Sequence, residues 1–172
     1  VQGARLVVNG TSLRDNDEGG IRIERATGQV AIHRAEIRDN RRFGLGIYSS
    51  DVYVGQSDIT DNDSTDSDGI VAHPLVGYEE VPTVVYAREN TIAGNGRFGL
   101  FMTDVDSFHL LDNTITGHHQ GGVRIGRRES IPGSSDETRL LQSNKINENT
   151  GSGVSVVGPA QVVMYCNQVT QT

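Results

Sequence analysis

The stretch Val30-Ala31-Ile32-His33-Arg34-Ala35-Glu36-Ile37-Arg38-Asp39-Asn40, running on to Gly44-Leu45-Gly46-Ile47, decides the fold of this chain. Apolar and polar residues alternate in it, around Ile32, Ile37 and Leu45, and turn formers separate the pieces. Alternation of period two is the pattern of strands, and a helix would repeat its apolar positions every third or fourth residue. The same stretch returns along the whole chain. Ile37-Arg38-Asp39-Asn40 is matched by Leu13-Arg14-Asp15-Asn16, Ile59-Thr60-Asp61-Asn62, Ile92-Ala93-Gly94-Asn95, Ile115-Thr116-Gly117-His118, Ile146-Asn147-Glu148-Asn149 and a worn copy, Val169-Thr170-Gln171-Thr172. A Gly follows the Asn position by four residues at Gly20, Gly44, Gly99, Gly122 and Gly153, and later than that at Gly69.

Three short strands cannot bury their inward side chains alone, but units of about 22 to 24 residues stacked on one another bury a continuous core. The expected architecture is therefore all-β: a right-handed parallel β-helix of about seven coils, each of three short strands. Leu13, Ile37, Ile59, Ile92, Ile115, Ile146 and Val169 are expected to stack inside it. Two residues before the repeated Ile, Asn90, Asn113, Asn144 and Asn167 are placed to form a ladder of amides at an inner corner. His118 stands where other copies have Asn, which points to a corner hydrogen bond and not to a metal ligand.

Charge and length narrow the function. The 172 residues form one domain, 1–172, expected to be part of a longer protein. The net charge of −7 argues against a nucleic-acid partner, because a phosphate backbone attracts Lys and Arg. No apolar run approaches the roughly 20 residues of a membrane-spanning helix. Cys166 stands alone in the chain and can form no internal disulfide.

The repeat, read over essentially the whole chain, resembles the parallel β-helix repeat of the pectate-lyase-like superfamily. That superfamily holds polysaccharide lyases, hydrolases and epimerases as well as tailspikes, adhesins and passenger domains. The resemblance thus implies a fold and leaves the activity to be argued from a site. Lyases of this kind use cations and an Arg or Lys base, and the hydrolases use paired Asp. The residue types for either are present in Asp104, Asp106, Arg124 and Arg127, outside any recognisable active-site motif.

Departures from a solenoid repeat map to surface loops, where binding residues concentrate. Two insertions, His73 to Val84 and Gly126 to Thr138, leave the same corner two coils apart. They are expected to wall a cleft, with His73, Tyr78, Glu79 and Glu80 on one side, Arg127, Arg128 and Glu129 on the other, and Asp104 and Asp106 as its floor. Tyr53, Tyr86 and His109 face outward from one strand row beside it, and Phe101 and Arg124 from another. Rings that cover the apolar faces of sugars, flanked by charged groups for hydroxyls or carboxylates, suit a glycan; the alternative is a row covered by the loops folding back. The run Asp61, Asp63, Asp66 and Asp68 offers carboxylates of the kind Ca²⁺ takes, without the spacing of an EF-hand, and a solvated polar turn is the other reading.

The expectation is a repeat scaffold of an exported or cell-surface protein that binds polysaccharide or a cell-surface glycan between two corner loops, with Ca²⁺ as the one cofactor considered. A polysaccharide-processing enzyme is the alternative. End-to-end or lateral contact with other protein is also expected.

Overall fold

A computed structural model describes residues 5–62, 64–127 and 138–170. The chain winds as a right-handed parallel β-helix of about seven coils, as its repeat predicts. Sheet A contains the strands Leu6–Asn9, Val30–His33, Asp51–Gly55, Val84–Arg88, Ser107–Leu111, Arg139–Gln142 and Val163–Tyr165. Sheet B contains the three-residue strands centred on Leu13, Ile37, Ile59, Ile92, Ile115, Ile146 and Val169. Sheet C contains Gly19–Glu24, Phe43–Tyr48, Asp68–His73, Phe98–Thr103, Gly121–Gly126 and Ser152–Val157. Every pairing is parallel, each strand lying between its equivalents in the coils before and after.

The period-two pattern explains the core. In sheet B, Leu13, Ile37, Ile59, Ile92, Ile115, Ile146 and Val169 are in register, and the five central ones are fully buried. Leu13 is half-buried and Val169 exposed, since the outermost coils have a neighbour on one side only. Val52, Val85 and Phe108 from sheet A and Leu45, Ile70, Leu100 and Val123 from sheet C close the same interior. Burying each such side chain contributes about 1.5–3 kcal/mol.

Two amide ladders stiffen the inner corners. In the first, between sheets A and B, the Asn90 backbone N–H and side-chain NH₂ both donate to Asn113 Oδ1, at 3.0 and 2.9 Å. Asn113 repeats this toward Asn144, and Asn144 toward Asn167. Ser57 begins this ladder by donating its N–H to Asn90 Oδ1. The second, between sheets B and C, is made by the Asn of the repeat itself: Asn16 to Asn40, Asn40 to Asn62 and Asn62 to Asn95. A buried polar group left unpaired costs about 1–3 kcal/mol, so each rung matters.

His118 is the next rung of that second ladder. Its Nδ1 lies 3.1 Å from the Asn95 N–H, which can only donate, so Nδ1 is the acceptor. The proton is then on Nε2, which donates to Ile92 O at 3.1 Å. The imidazole thus reproduces both functions of an Asn amide, but only when neutral. Burial pushes its pKa down to about 4.

Corners also demand left-handed backbone. After the sheet A strands, Arg34, Gln56, Glu89, Asp112, Ser143 and Cys166 all have φ between 50 and 56°. Asp104 does the same at the corner between sheets C and A, with φ 53°, and Asp tolerates that region better than most residues.

Candidate functional site

Two sheets present aromatic outer faces, and their states differ. On sheet C the rings lie flat across glycines of neighbouring positions. A methyl placed on Gly46 would sit 2.7 Å from the Tyr48 ring, and one on Gly121 would sit 3.2 Å from Phe98. Arginines then cover the rings: Arg22 lies 5.1 Å from the centre of Tyr48, Arg97 4.6 Å from Phe101 and Arg124 5.6 Å from Phe98. Phe98 and Phe101 stack at 5.8 Å, and Tyr48 meets His73 edge to face at 4.8 Å. As a result Phe43, Tyr48 and Phe98 are buried although they point outward.

An ion pair anchors this face. Arg97 donates to both oxygens of Asp68, Nε at 3.0 Å and Nη2 at 2.5 Å, and Phe98 N–H donates to Oδ1. Burial pushes the Asp68 carboxyl up while these bonds pull it back down, and they hold the Arg97 guanidinium more firmly charged. Asp68 is therefore engaged by Arg97, with the charge of Asp66 near enough to act on both. Among the described residues no three His, Cys, Asp or Glu side chains gather as a metal site, and Asp63 lies outside those residues.

On sheet A the outward row runs Val7, Ala31, Tyr53, Tyr86, His109, Leu140, Val163 in continuous register. Tyr53 and Tyr86 are each 37% exposed, and no arginine covers them among the described contacts. Tyr86 meets His109 edge to face at 4.9 Å, and Tyr53 lies over Gly55. Beside these tyrosines is a cavity of about 260 Å³ lined by Arg5, Gln29, Val30, Ala31, Asp51, Tyr53 and Tyr86. Partial burial pushes the Asp51 carboxyl above its ordinary range.

The sequence candidates divide between these regions. Tyr86 and His109 are on sheet A; His73, Phe101 and Arg124 are on sheet C. Asp104, Asp106, Glu79 and Arg127 lie along the corner between the two sheets, and Arg128 is outside the described residues. Asp106 closes the foot of the first loop, accepting from Thr83 N–H at 2.7 Å and donating its own N–H to Thr83 O. Glu79 accepts from Gly77 N–H within a turn. The expected cleft meets a further departure here. Loop 74–83 leans toward the N-terminal coils, with Arg25 donating to the Tyr78 hydroxyl at 2.8 Å and Ser49 to Tyr78 O. It therefore packs on the two preceding coils, while residues 128–137 of the second insertion, Glu129 among them, lie outside the described residues.

Sequence reading missed Asp51, Gln29 and Arg5. The signal was present: Asp51 stands two residues before Tyr53 and so shares its outward face, and Gln29 stands likewise before Ala31.

The fold and this face define a parallel β-helix repeat protein with one open aromatic row. No family model and no solved structure matches the chain. Over 114 residues, 63% of this chain, it is 27% identical to F-box only protein 10 of Homo sapiens, and the match spans 11% of that protein. Among the described residues no helix is long and apolar enough to cross a membrane.

Proposed function

We propose that this chain is a non-catalytic β-helix module of the pectate-lyase-like kind, carried by a larger exported or cell-surface protein, that binds polysaccharide along the outer face of sheet A. The observation that carries this reading is the open row at Tyr53 and Tyr86, beside a cavity with polar groups, on a rigid sheet. Ring faces left uncovered on a preformed surface suit the apolar faces of sugars. The tie of Asp106 to the Thr83 backbone gives that carboxylate structural work, and Asp104 suits the left-handed corner it occupies, which favours binding over hydrolysis. The match to a small fraction of a much longer F-box protein supports the reading of the coils as a module. End-to-end or lateral contact belongs to the same reading, as Met164 and Val169, inward-row residues of the last coil, are exposed. Calcium enters only as a condition to be varied.

A glycan array and a polysaccharide-degradation assay, each with and without Ca²⁺, test it on the wild type and on Tyr86→Ala. Binding without turnover that is lost in Tyr86→Ala is the expected result. Degradation of any polysaccharide would replace this reading with the lyase or hydrolase one, and silence on every glycan would remove it.

A further inference from the structure

The cavity beside Asp51 is chemically more selective than the tyrosine row. Its wall sets a carboxylate, which only accepts hydrogen bonds, within the same 260 Å³ as a guanidinium, which only donates, and the Gln29 amide, which does both. Two partly exposed tyrosine rings complete it. A ligand that satisfies all of these groups must donate and accept from neighbouring positions on a compact ring with an apolar side. We infer that the cavity takes one uncharged sugar ring, held through its hydroxyls, and turns away uronates; this rests on reading the face of sheet A as a glycan surface.

Hydroxyls meet the requirement because each is both donor and acceptor. An ammonium group supplies donors alone and would face Arg5. The carboxylate of a uronate supplies acceptors alone where a neutral sugar has a hydroxyl, and it would face Asp51 inside a chain whose net charge of −7 already repels polyanions. The size agrees, since the cavity falls just below the about 300–1,000 Å³ of pockets for drug-sized ligands and fits a single ring. Its tyrosines are held before any ligand arrives, Tyr86 by the edge-to-face contact with His109 and Tyr53 by its seat over Gly55, so little freedom is lost on binding. A site built around hydroxyls rejects an analogue that leaves its polar groups unpaired far more strongly than one that merely differs in size.

Titration calorimetry with soluble neutral gluco- and manno-oligosaccharides and with oligogalacturonate provides the test, on the wild type, Asp51→Asn, Asp51→Lys and Tyr86→Ala. The wild type should bind a neutral oligosaccharide and ignore oligogalacturonate. Asp51→Asn should weaken the neutral ligand by about tenfold, the effect of losing a hydrogen bond to a charged group. Asp51→Lys should begin to bind oligogalacturonate. All three changes lie on an exposed face, and unchanged thermal melting confirms that the variants are folded. If the wild type takes oligogalacturonate as readily as neutral sugars, or if Asp51→Asn changes nothing while Tyr86→Ala abolishes binding, the cavity is not the selector and the glycan surface stands without it. If no oligosaccharide binds, both readings fall.

Discussion

Sheet C and sheet A both point aromatic rings outward from the same solenoid, and only one of them leaves the rings open. On sheet C, Tyr48 and Phe98 lie across Gly46 and Gly121, beneath Arg22, Arg97 and Arg124. On sheet A, Tyr53 and Tyr86 keep more than a third of their surface in solvent. An outward position in a β-helix is therefore not a free position by itself. What decides is whether an arginine roofs the ring, since Tyr53 also lies over a glycine, Gly55, and stays open. Rings so roofed add a shell of stability outside the core, whereas rings left unroofed remain available to a partner.

The comparison breaks most readily at Arg97 and Phe98. Arg97→Ala strands the Asp68 carboxylate in a buried site, and Phe98→Ala removes the ring that Arg97 and Arg124 cover. Each should destabilise the fold by about 3–5 kcal/mol in urea titration. A loss below about 1 kcal/mol for both would show that sheet C's outer face is ordinary surface.

Next in size is His118, at the corner through which sheet B passes into sheet C. Its pKa is near 4 when folded and 6.5 when unfolded, so between those values the unfolded chain binds more protons. The contribution is complete above pH 6.5 and is lost as pH falls toward 4, by about 3 kcal/mol in all. The structural reason is that a protonated Nδ1 would aim a donor at the Asn95 N–H. His118→Asn should flatten this part of the stability–pH curve, while the rest of the acid response persists. An unchanged curve would mean that the rung tolerates the imidazolium.

Gly46→Ala sharpens the contrast at a single methyl. It should push Tyr48 off its seat at a cost of about 1–3 kcal/mol, the range for overpacking. The smallest expected effect on stability is at Tyr86. Tyr86→Ala should change the unfolding free energy by no more than about 1 kcal/mol while removing glycan binding, a split that a covered ring would not show.

The architecture was legible because it depends on inward positions and corners, which the chain repeats: Ile37 and Asn40 predict Ile92 and Asn95 without knowledge of anything outside. The second amide ladder was half legible, since His118 was recognised as an Asn substitute although the ladder running through it was not drawn. The outer faces were harder. Phe101 reads alike with Tyr86 as an outward aromatic, and only the placement of Arg97 separates them. Arginine side chains reach across several coils, so their sequence position does not say which ring they cover. The course of loop 74–83 was not legible for a related reason, as it depends on Arg25 and Ser49, some fifty and thirty residues before Tyr78. Asp51 and the cavity lie on regular strands, so no departure from the repeat marks them.

The amide ladders have a direction, and it bears on how such a chain is inherited. In each Asn-to-Asn rung the oxygen receives two N–H groups from the preceding coil, and the nitrogens are passed forward to the oxygen of the following one. A coil copied whole and spliced in frame brings both a receiving oxygen and donating nitrogens, so the ladder closes around it without any other change. A fragment of a coil breaks the hand-over. Gene duplication that keeps the ladder is thus a duplication of whole turns, and between duplications the outward residues are left to diverge.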